Sequence, residues 1–144
     1  MSTGLAIAMP KTSRLQDQEK KRVMYSEILR DHAVKPRNRR EMEKPDAVGS
    51  AYYRRCRDKV TMFFRIQENA IQEVTFTARG CGPAVAAASM ASTMLQGRTV
   101  DEARQLTAFQ LHEALGGLPP SKRHALLLVL ECLTEALGSR DYKF

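Results

Sequence analysis

The sequence predicts an α+β fold in which a three-stranded antiparallel sheet is covered by an N-terminal helix and by C-terminal helices. Residues 60–78 alternate between apolar and polar side chains in two short runs, which is typical of strands with one buried face. After Gly80 the apolar period changes to that of helices. Because the strands precede these helices without strand–helix–strand crossovers, we expect the helices over one face of the sheet.

Local patterns predict each element in turn. Proline and glycine mark the helix boundaries, and Ser/Thr followed three residues later by Glu/Gln marks helix starts. The predicted elements are a helix at 20–33, a strand at 48–53, a hairpin of strands at 60–66 and 74–78 with a turn at 67–70, a helix at 84–96, two short helices opened by Thr99 with Glu102 and by Thr107 with Gln110, and a last helix from Pro119–Pro120 to Gly138.

Length and composition indicate one folded domain. The chain has 144 residues and 43% hydrophobic residues, and it contains no apolar run of the length that crosses a membrane. We expect a flexible tail at 1–18, with an organelle transit peptide as the alternative, and one domain at 19–144. Three cysteines, an odd number, argue against a disulfide framework and favour a reducing compartment, either a bacterial-type cytoplasm or an organelle matrix.

The positive charge is concentrated in the first part of the chain. The formal net charge is +7, and the stretch from Lys11 to Lys59 holds fifteen Lys and Arg against eight acidic residues. Such a surface attracts acidic proteins, phosphates or nucleic acids, or is simply solvated. Nucleic-acid binding is the weaker alternative, because few aromatic residues accompany the basic ones.

Side chains that could bind a metal lie at the predicted ends of strands and starts of helices. Cys56 and Asp58 are two positions apart next to a strand, so they share one face if the segment is extended. Cys81, between two glycines, opens a predicted helix, where the helix dipole favours a thiolate. His124 is expected about one turn into the last helix. Two sulfurs, one oxygen and one nitrogen could surround zinc or hold part of an iron–sulfur unit.

Several stretches resemble, in order and spacing, the IscU/NifU family of iron–sulfur cluster assembly scaffolds. The likeness covers roughly residues 22 to 143. The stretches are YSEILRDHAVKPRN (25–38), KPDAVGSA (44–51), CRD (56–58), ENAIQEVTFTARGCGPAVAAASMAS (68–92), QGRTVDEA (96–103) and LPPSKRH (118–124).

The resemblance implies a non-enzymatic scaffold for a transient [2Fe–2S] cluster or iron, with zinc in the isolated protein, held by Cys56, Asp58, Cys81 and His124. The family pattern has glycine where this chain has Arg57, and a third cysteine, credited with accepting sulfur, where this chain has Ala125. Cys132 lies about 10 Å further along the last helix at about 1.5 Å per residue and is predicted to be a core residue.

The resemblance also implies partners. These are a cysteine desulfurase, apo iron–sulfur client proteins and an Hsp70-type chaperone that grips a Leu-Pro-Pro-Val-Lys segment. Because serine replaces the valine here, we expect weaker chaperone binding. The alternative is a degenerate relative that binds zinc, or regulates the assembly machinery, without carrying a cluster. The matching segment here is Leu118, Pro119, Pro120, Ser121 and Lys122.

Overall fold

The computed structural model describes residues 25–138, so the predicted tail and the first residues of the predicted N-terminal helix lie outside the described residues. The α+β prediction is confirmed. The elements are α1 (Glu27–Val34), β1 (Ala47–Tyr53), β2 (Asp58–Gln67), β3 (Ala70–Arg79), α2 (Gly82–Leu95), α3 (Val100–Arg104), α4 (Ala108–Ala114), a 3-10 turn (Pro120–Lys122) and α5 (His124–Leu137).

The three strands form one antiparallel sheet in the order β1-β2-β3. The predicted hairpin is confirmed, with Met62 opposite Phe76 and both side chains fully buried. Its two turn residues, Glu68 and Asn69, have φ values of 51° and 64°. This left-handed conformation at both positions matches the right-handed twist of the flanking strands.

Two long helices cover one face of the sheet. α5 lies across β1 and β2, and α2 lies against β3. At the crossing of α5 over β1, Gly49 touches the helix backbone so closely that a side chain there would overlap the carbonyl of Cys132. α2 approaches closely because its buried positions are mostly alanine and serine. The core therefore depends on small residues at both helix–sheet contacts.

The N-terminal helix packs mainly against α2. Its cap is Ser26, whose hydroxyl accepts a hydrogen bond from the backbone N–H of Leu29, so α1 begins at Glu27. Tyr25 and Ser26, which were predicted to be helical, therefore precede the helix. His32 is buried on the α2 side, with Nδ1 2.8 Å from the hydroxyl of Ser89.

The later helix starts are set by local chemistry. Both predicted capping boxes, at Thr99 and at Thr107, are present. The predicted start of the last helix at Pro119–Pro120 is wrong: these residues lead into a 3-10 turn, and α5 begins at His124. In that turn the N–H of Lys122 bonds to the carbonyl of Pro119, a spacing of three residues in place of the four of an α-helix.

The segment between α1 and β1 starts at the free edge of β3 and ends beside the middle strand, where β1 begins. The N–H of Phe76 bonds to the carbonyl of Asn38, and the N–H of Asp46 bonds to the carbonyl of Phe64 on the middle strand. Met42, between these anchors, is buried. The outer sheet face near Lys59 and Arg79 stays exposed. No helix within residues 25–138 has the length and apolarity that a bilayer crossing requires.

Candidate metal centre

The carboxylate of Asp58 is in contact with two further predicted ligands, Cys81 and His124, which come from other parts of the fold. Asp58 starts β2 and is fully buried, Cys81 lies between β3 and α2, and His124 is the first residue of α5. The Oδ2 atom of Asp58 lies 2.8 Å from Nε2 of His124 and 3.1 Å from Sγ of Cys81. Its Oδ1 atom accepts from the backbone N–H of Cys81 at 2.8 Å. With the carboxylate ionised, all three neighbours act as donors.

The fourth predicted ligand, Cys56, comes from the turn between β1 and β2. Its sulfur, a carboxylate oxygen of Asp58 and a ring nitrogen of His124 all lie within 4.8 Å of one another. Cys56 is exposed, whereas Asp58 is fully buried and the side chain of His124 is 8% exposed. The site therefore has a fixed interior and one exposed sulfur at its surface.

Burial and hydrogen bonding together set the pKa values of Asp58 and Cys81. Burial alone would raise the pKa of Asp58, but the thiol and backbone N–H of Cys81, together with His124, hold that pKa below its ordinary value. Burial, followed by the hydrogen bond to Asp58 and its charge, raises the pKa of Cys81 to about 11. The expectation that the helix N-terminus makes Cys81 a thiolate is thus wrong without a metal, since the thiol is the donor the carboxylate needs.

The two glycines around Cys81 have different roles. Gly80 has φ +136°, and a Cβ there would overlap the carboxylate of Asp58. Gly82 is helical, and a Cβ there would lie 3.6 Å from the Cβ of Ala33, an ordinary contact. Gly80 is therefore required by Asp58, because both its backbone conformation and its lack of a side chain admit the carboxylate.

Sequence reasoning missed Tyr53. Its ring stacks on the imidazole of His124, with centroids 4.3 Å apart and planes 14° apart. Tyr53 is the cross-strand partner of Asp58, so both point to the helix side of the sheet. The imidazole is held between the tyrosine ring and the carboxylate. Counting the β1–β2 pairing outward from the turn at 54–57 puts Tyr53 opposite Asp58, so the strand register is the signal that could have found it.

Position 125 and Cys132 supply no further ligand to this group. Ala125 is fully buried directly after His124, so the methyl group brings no donor atom. Cys132 is fully buried, and its thiol donates to the carbonyl of Val60, as expected for a core residue. Burial raises the pKa of Cys132 to about 12, with Glu135 and Glu131 adding to the effect.

The segment predicted to bind a chaperone lies just before His124. Leu118 is 4% exposed and Pro119 is buried, while Pro120 and Ser121 are exposed. The backbone N–H of Leu118 donates to Nδ1 of His112 at 3.2 Å. The first half of the segment is thus fixed in the fold, and only its second half is open to a partner.

Fold and site together define a small α+β domain with a mixed sulfur, oxygen and nitrogen centre between a sheet end and two helix starts. The profile of the NifU-like N terminal domain matches residues 24–143. The chain belongs to this family, as the resemblance implied. A relative in Archaeoglobus fulgidus, iron-sulfur cluster assembly scaffold protein IscU 1, is 38% identical over 114 residues, covering 79% of this chain and 74% of the relative. The Aquifex aeolicus scaffold protein IscU is 36% identical over 120 residues, covering 82% and 75%.

Solved structures share the fold. A putative iron-sulfur cluster assembly scaffold protein for the SUF system from Fervidobacterium islandicum has a TM-score of 0.69 at 21% identity, covering 81% of this chain and 98% of that chain. A NifU-like protein (N-terminal) from Brucella abortus has a TM-score of 0.54 at 20% identity, covering 78% of each chain. At these identities the likeness concerns the arrangement of the sheet and helices.

Proposed function

We propose that residues 19–144 form a non-catalytic scaffold that holds a transient [2Fe–2S] cluster, or iron, and passes it to other proteins. The observation that carries this proposal is the meeting of Cys56, Asp58 and His124 within 4.8 Å, with the thiol of Cys81 bonded to the same carboxylate. The relatives named as iron-sulfur cluster assembly scaffold proteins support the same role.

The hydrogen bonds of Asp58 suit a site that must release its cargo. The carboxylate can offer its oxygen to the cargo only by giving up donors that it holds in the metal-free protein, namely the thiol of Cys81 and the ring of His124. When the cargo leaves and the Cys81 thiolate takes up a proton from water, both donors are regained, which offsets part of the lost metal–ligand energy. Two thiolates, one carboxylate and one imidazole thus hold the cargo less firmly than four thiolates.

The proposal implies three kinds of partner. A cysteine desulfurase would supply sulfur, apo iron–sulfur proteins would receive the cargo, and an Hsp70-type chaperone would act at residues 118–122. Because Leu118 and Pro119 are buried, a chaperone that grips the whole segment requires local opening of the chain before His124. The unpaired cysteines favour a reducing compartment, either cytoplasm or organelle matrix.

Anaerobic reconstitution tests the scaffold role. With ferrous iron and sulfide, the protein is expected to develop visible charge-transfer absorption that Cys81→Ala abolishes. Cys132→Ala is the matched control, because it removes a thiol that bonds to the core backbone, and it should leave the spectrum unchanged. A colourless parent protein, or equal loss in both variants, contradicts the proposal.

A second candidate function is a zinc-binding or regulatory partner of the assembly machinery. Two observations favour it: the buried methyl group of Ala125 offers no third thiol, and Arg57 places a cation beside Cys56. The four proposed ligands also match the donor types and number of a tetrahedral zinc site. Stoichiometric zinc without iron uptake, together with a stable desulfurase complex, would select this function over the scaffold role.

A further inference from the structure

Five basic side chains lie on or next to the turn that carries the exposed thiol of the candidate metal centre. They lie on the β1–β2 turn and on the adjoining ends of β2 and β3, and all five are exposed. Cys56 lies in the middle of this turn. We call this group the basic rim; its members are Arg54, Arg55, Arg57, Lys59 and Arg79.

The basic rim forms no ion pair with the residues that the structure describes. Within residues 25–138, no carboxylate oxygen lies within 4.0 Å of a basic-rim nitrogen, whereas four other arginines form such ion pairs. Lys59 and Arg79 are direct cross-strand partners on the outer sheet face, an arrangement in which like charges repel. An acidic group from outside would relieve this repulsion.

Arg57 adds a conformational observation. Its φ is 56°, in the left-handed region that side-chain-bearing residues disfavour and that glycine adopts freely. Glycine is also the residue that the family pattern has at this position. The fold thus holds a cation, in a strained backbone conformation, directly next to Cys56. A residue held against its own preference at a site is a reason to look for a functional contact.

We propose that the basic rim is a docking surface for a partner protein with an acidic contact face. The partner would approach at the turn that carries Cys56, so the inference deepens the proposed scaffold function and rests on it. Nucleic acid fits less well, because it would bring no thiol to receive the cargo.

Peptide binding by variants of the full chain tests this docking surface. The probe is a fluorescein-labelled peptide of about a dozen Glu and Asp residues, and anisotropy measures its Kd. Arg54→Glu with Arg55→Glu should weaken binding about tenfold or more, because adjacent charge reversal acts on the contact itself. The matched control, Lys44→Glu with Arg98→Glu, changes the net charge equally at the other end of the sheet, about 20–30 Å away at about 3.3 Å per residue. It should change Kd less than about twofold, because salt screens charges at that distance.

Carbodiimide coupling locates the bound peptide, since it joins carboxylates to nearby lysines. Mass spectrometry should find the cross-link at Lys59 more than at Lys35 or Lys44. Equal weakening in both double variants, or cross-links that avoid Lys59, overturns the proposal. The proposal is also overturned if an oligonucleotide of equal charge displaces the peptide and if the Arg54/Arg55 variant, but not the control variant, loses oligonucleotide binding.

The iron content of each variant, measured after reconstitution, separates this inference from the scaffold proposal. Unchanged iron with weakened peptide binding supports the docking surface. Absence of iron in the parent protein counts against the scaffold role and leaves the peptide result to decide on the surface. Far-UV circular dichroism checks folding, and Lys59→Glu with Arg79→Glu serves as a second variant if the turn variant does not fold.

Discussion

The Nε2 atom of His124 lies 2.8 Å from the Oδ2 atom of Asp58, although 66 positions separate the two residues. This contact exists because α5 packs across β1 and β2, which brings its first residue to the end of the sheet where β2 begins. The crossing in turn requires Gly49, where a side chain would overlap the backbone of Cys132. Assembly of the candidate metal centre is therefore coupled to packing of the core.

Gly80 should be far more sensitive to substitution than Gly82. Gly80→Ala puts a methyl group into the space of the Asp58 carboxylate and at a φ of +136°, so the free energy of unfolding should fall by about 2 kcal/mol or more. Gly82→Ala should change it by less than about 1 kcal/mol, because the added methyl meets only Ala33 at 3.6 Å. Urea denaturation measures both variants, and equal effects would contradict the role given to Gly80.

Tyr53 should act as a positioning residue for His124. Tyr53→Leu removes the ring that stacks on the imidazole at 4.3 Å, and zinc affinity should fall about tenfold, as for other residues that orient metal ligands. Tyr53→Phe retains the ring and should stay close to the parent protein. A competition titration with a chromophoric chelator gives both affinities. If the leucine variant binds zinc as tightly as the phenylalanine variant, the stack does not position the ligand.

His32 should make the fold sensitive to acid. Burial, with a smaller contribution from Arg37, lowers the pKa of His32 below 6.5, while Asp31 opposes the shift. The unfolded chain then binds the proton more tightly, so this contribution to stability is complete above 6.5 and is lost as the pH falls through the folded-state pKa. His32→Gln should reduce the pH dependence of the free energy of unfolding in this range. Parallel curves for parent and variant would exclude His32 as the cause.

A cysteine at position 125 should strengthen retention of a reconstituted cluster. Ala125 is fully buried beside His124, where the family pattern has cysteine, and thiolates hold iron–sulfur units more firmly than a mixed donor set does. In Ala125→Cys, loss of visible absorption to a chelator should be slower, by about tenfold for a gain of ~1.4 kcal/mol. An unchanged rate would show that a side chain at position 125 does not reach the cargo.

Sequence patterns predicted the parts of the structure that depend on neighbours in the chain. The hairpin follows from strand alternation, and the caps at Thr99 and Thr107 follow from residues three positions apart. The start of α5 was wrong because Pro119–Pro120 resemble a helix start, whereas the chain makes a 3-10 turn first. The chemistry and chain positions of Cys56, Asp58, Cys81 and His124 suggested a ligand set and the family resemblance supported it, whereas periodicity alone could not have assembled it.

The remaining errors concern contacts between distant elements. Burial of Cys81 and its hydrogen bond to the carboxylate of Asp58, which comes from another strand, raise the pKa of the thiol, whereas the sequence prediction considered only the helix that Cys81 begins. The stacking of Tyr53 on His124 depends likewise on how α5 crosses the sheet. Such effects can be found only in the tertiary structure, because the pattern of one segment does not show which side chains of other segments will contact it.

X-ray absorption at the zinc edge of the zinc-loaded protein measures most directly whether the side chains at the starts of β2 and α5, at the β3–α2 junction and on the β1–β2 turn bind one ion. Two sulfur scatterers at about 2.3 Å and two lighter ligands are expected in the parent protein. Cys56→Ser or Cys81→Ser should each remove one sulfur, while Cys132→Ser should remove none. A zinc ion bound without sulfur, or a sulfur count unaffected by the changes at 56 and 81, would contradict a shared centre.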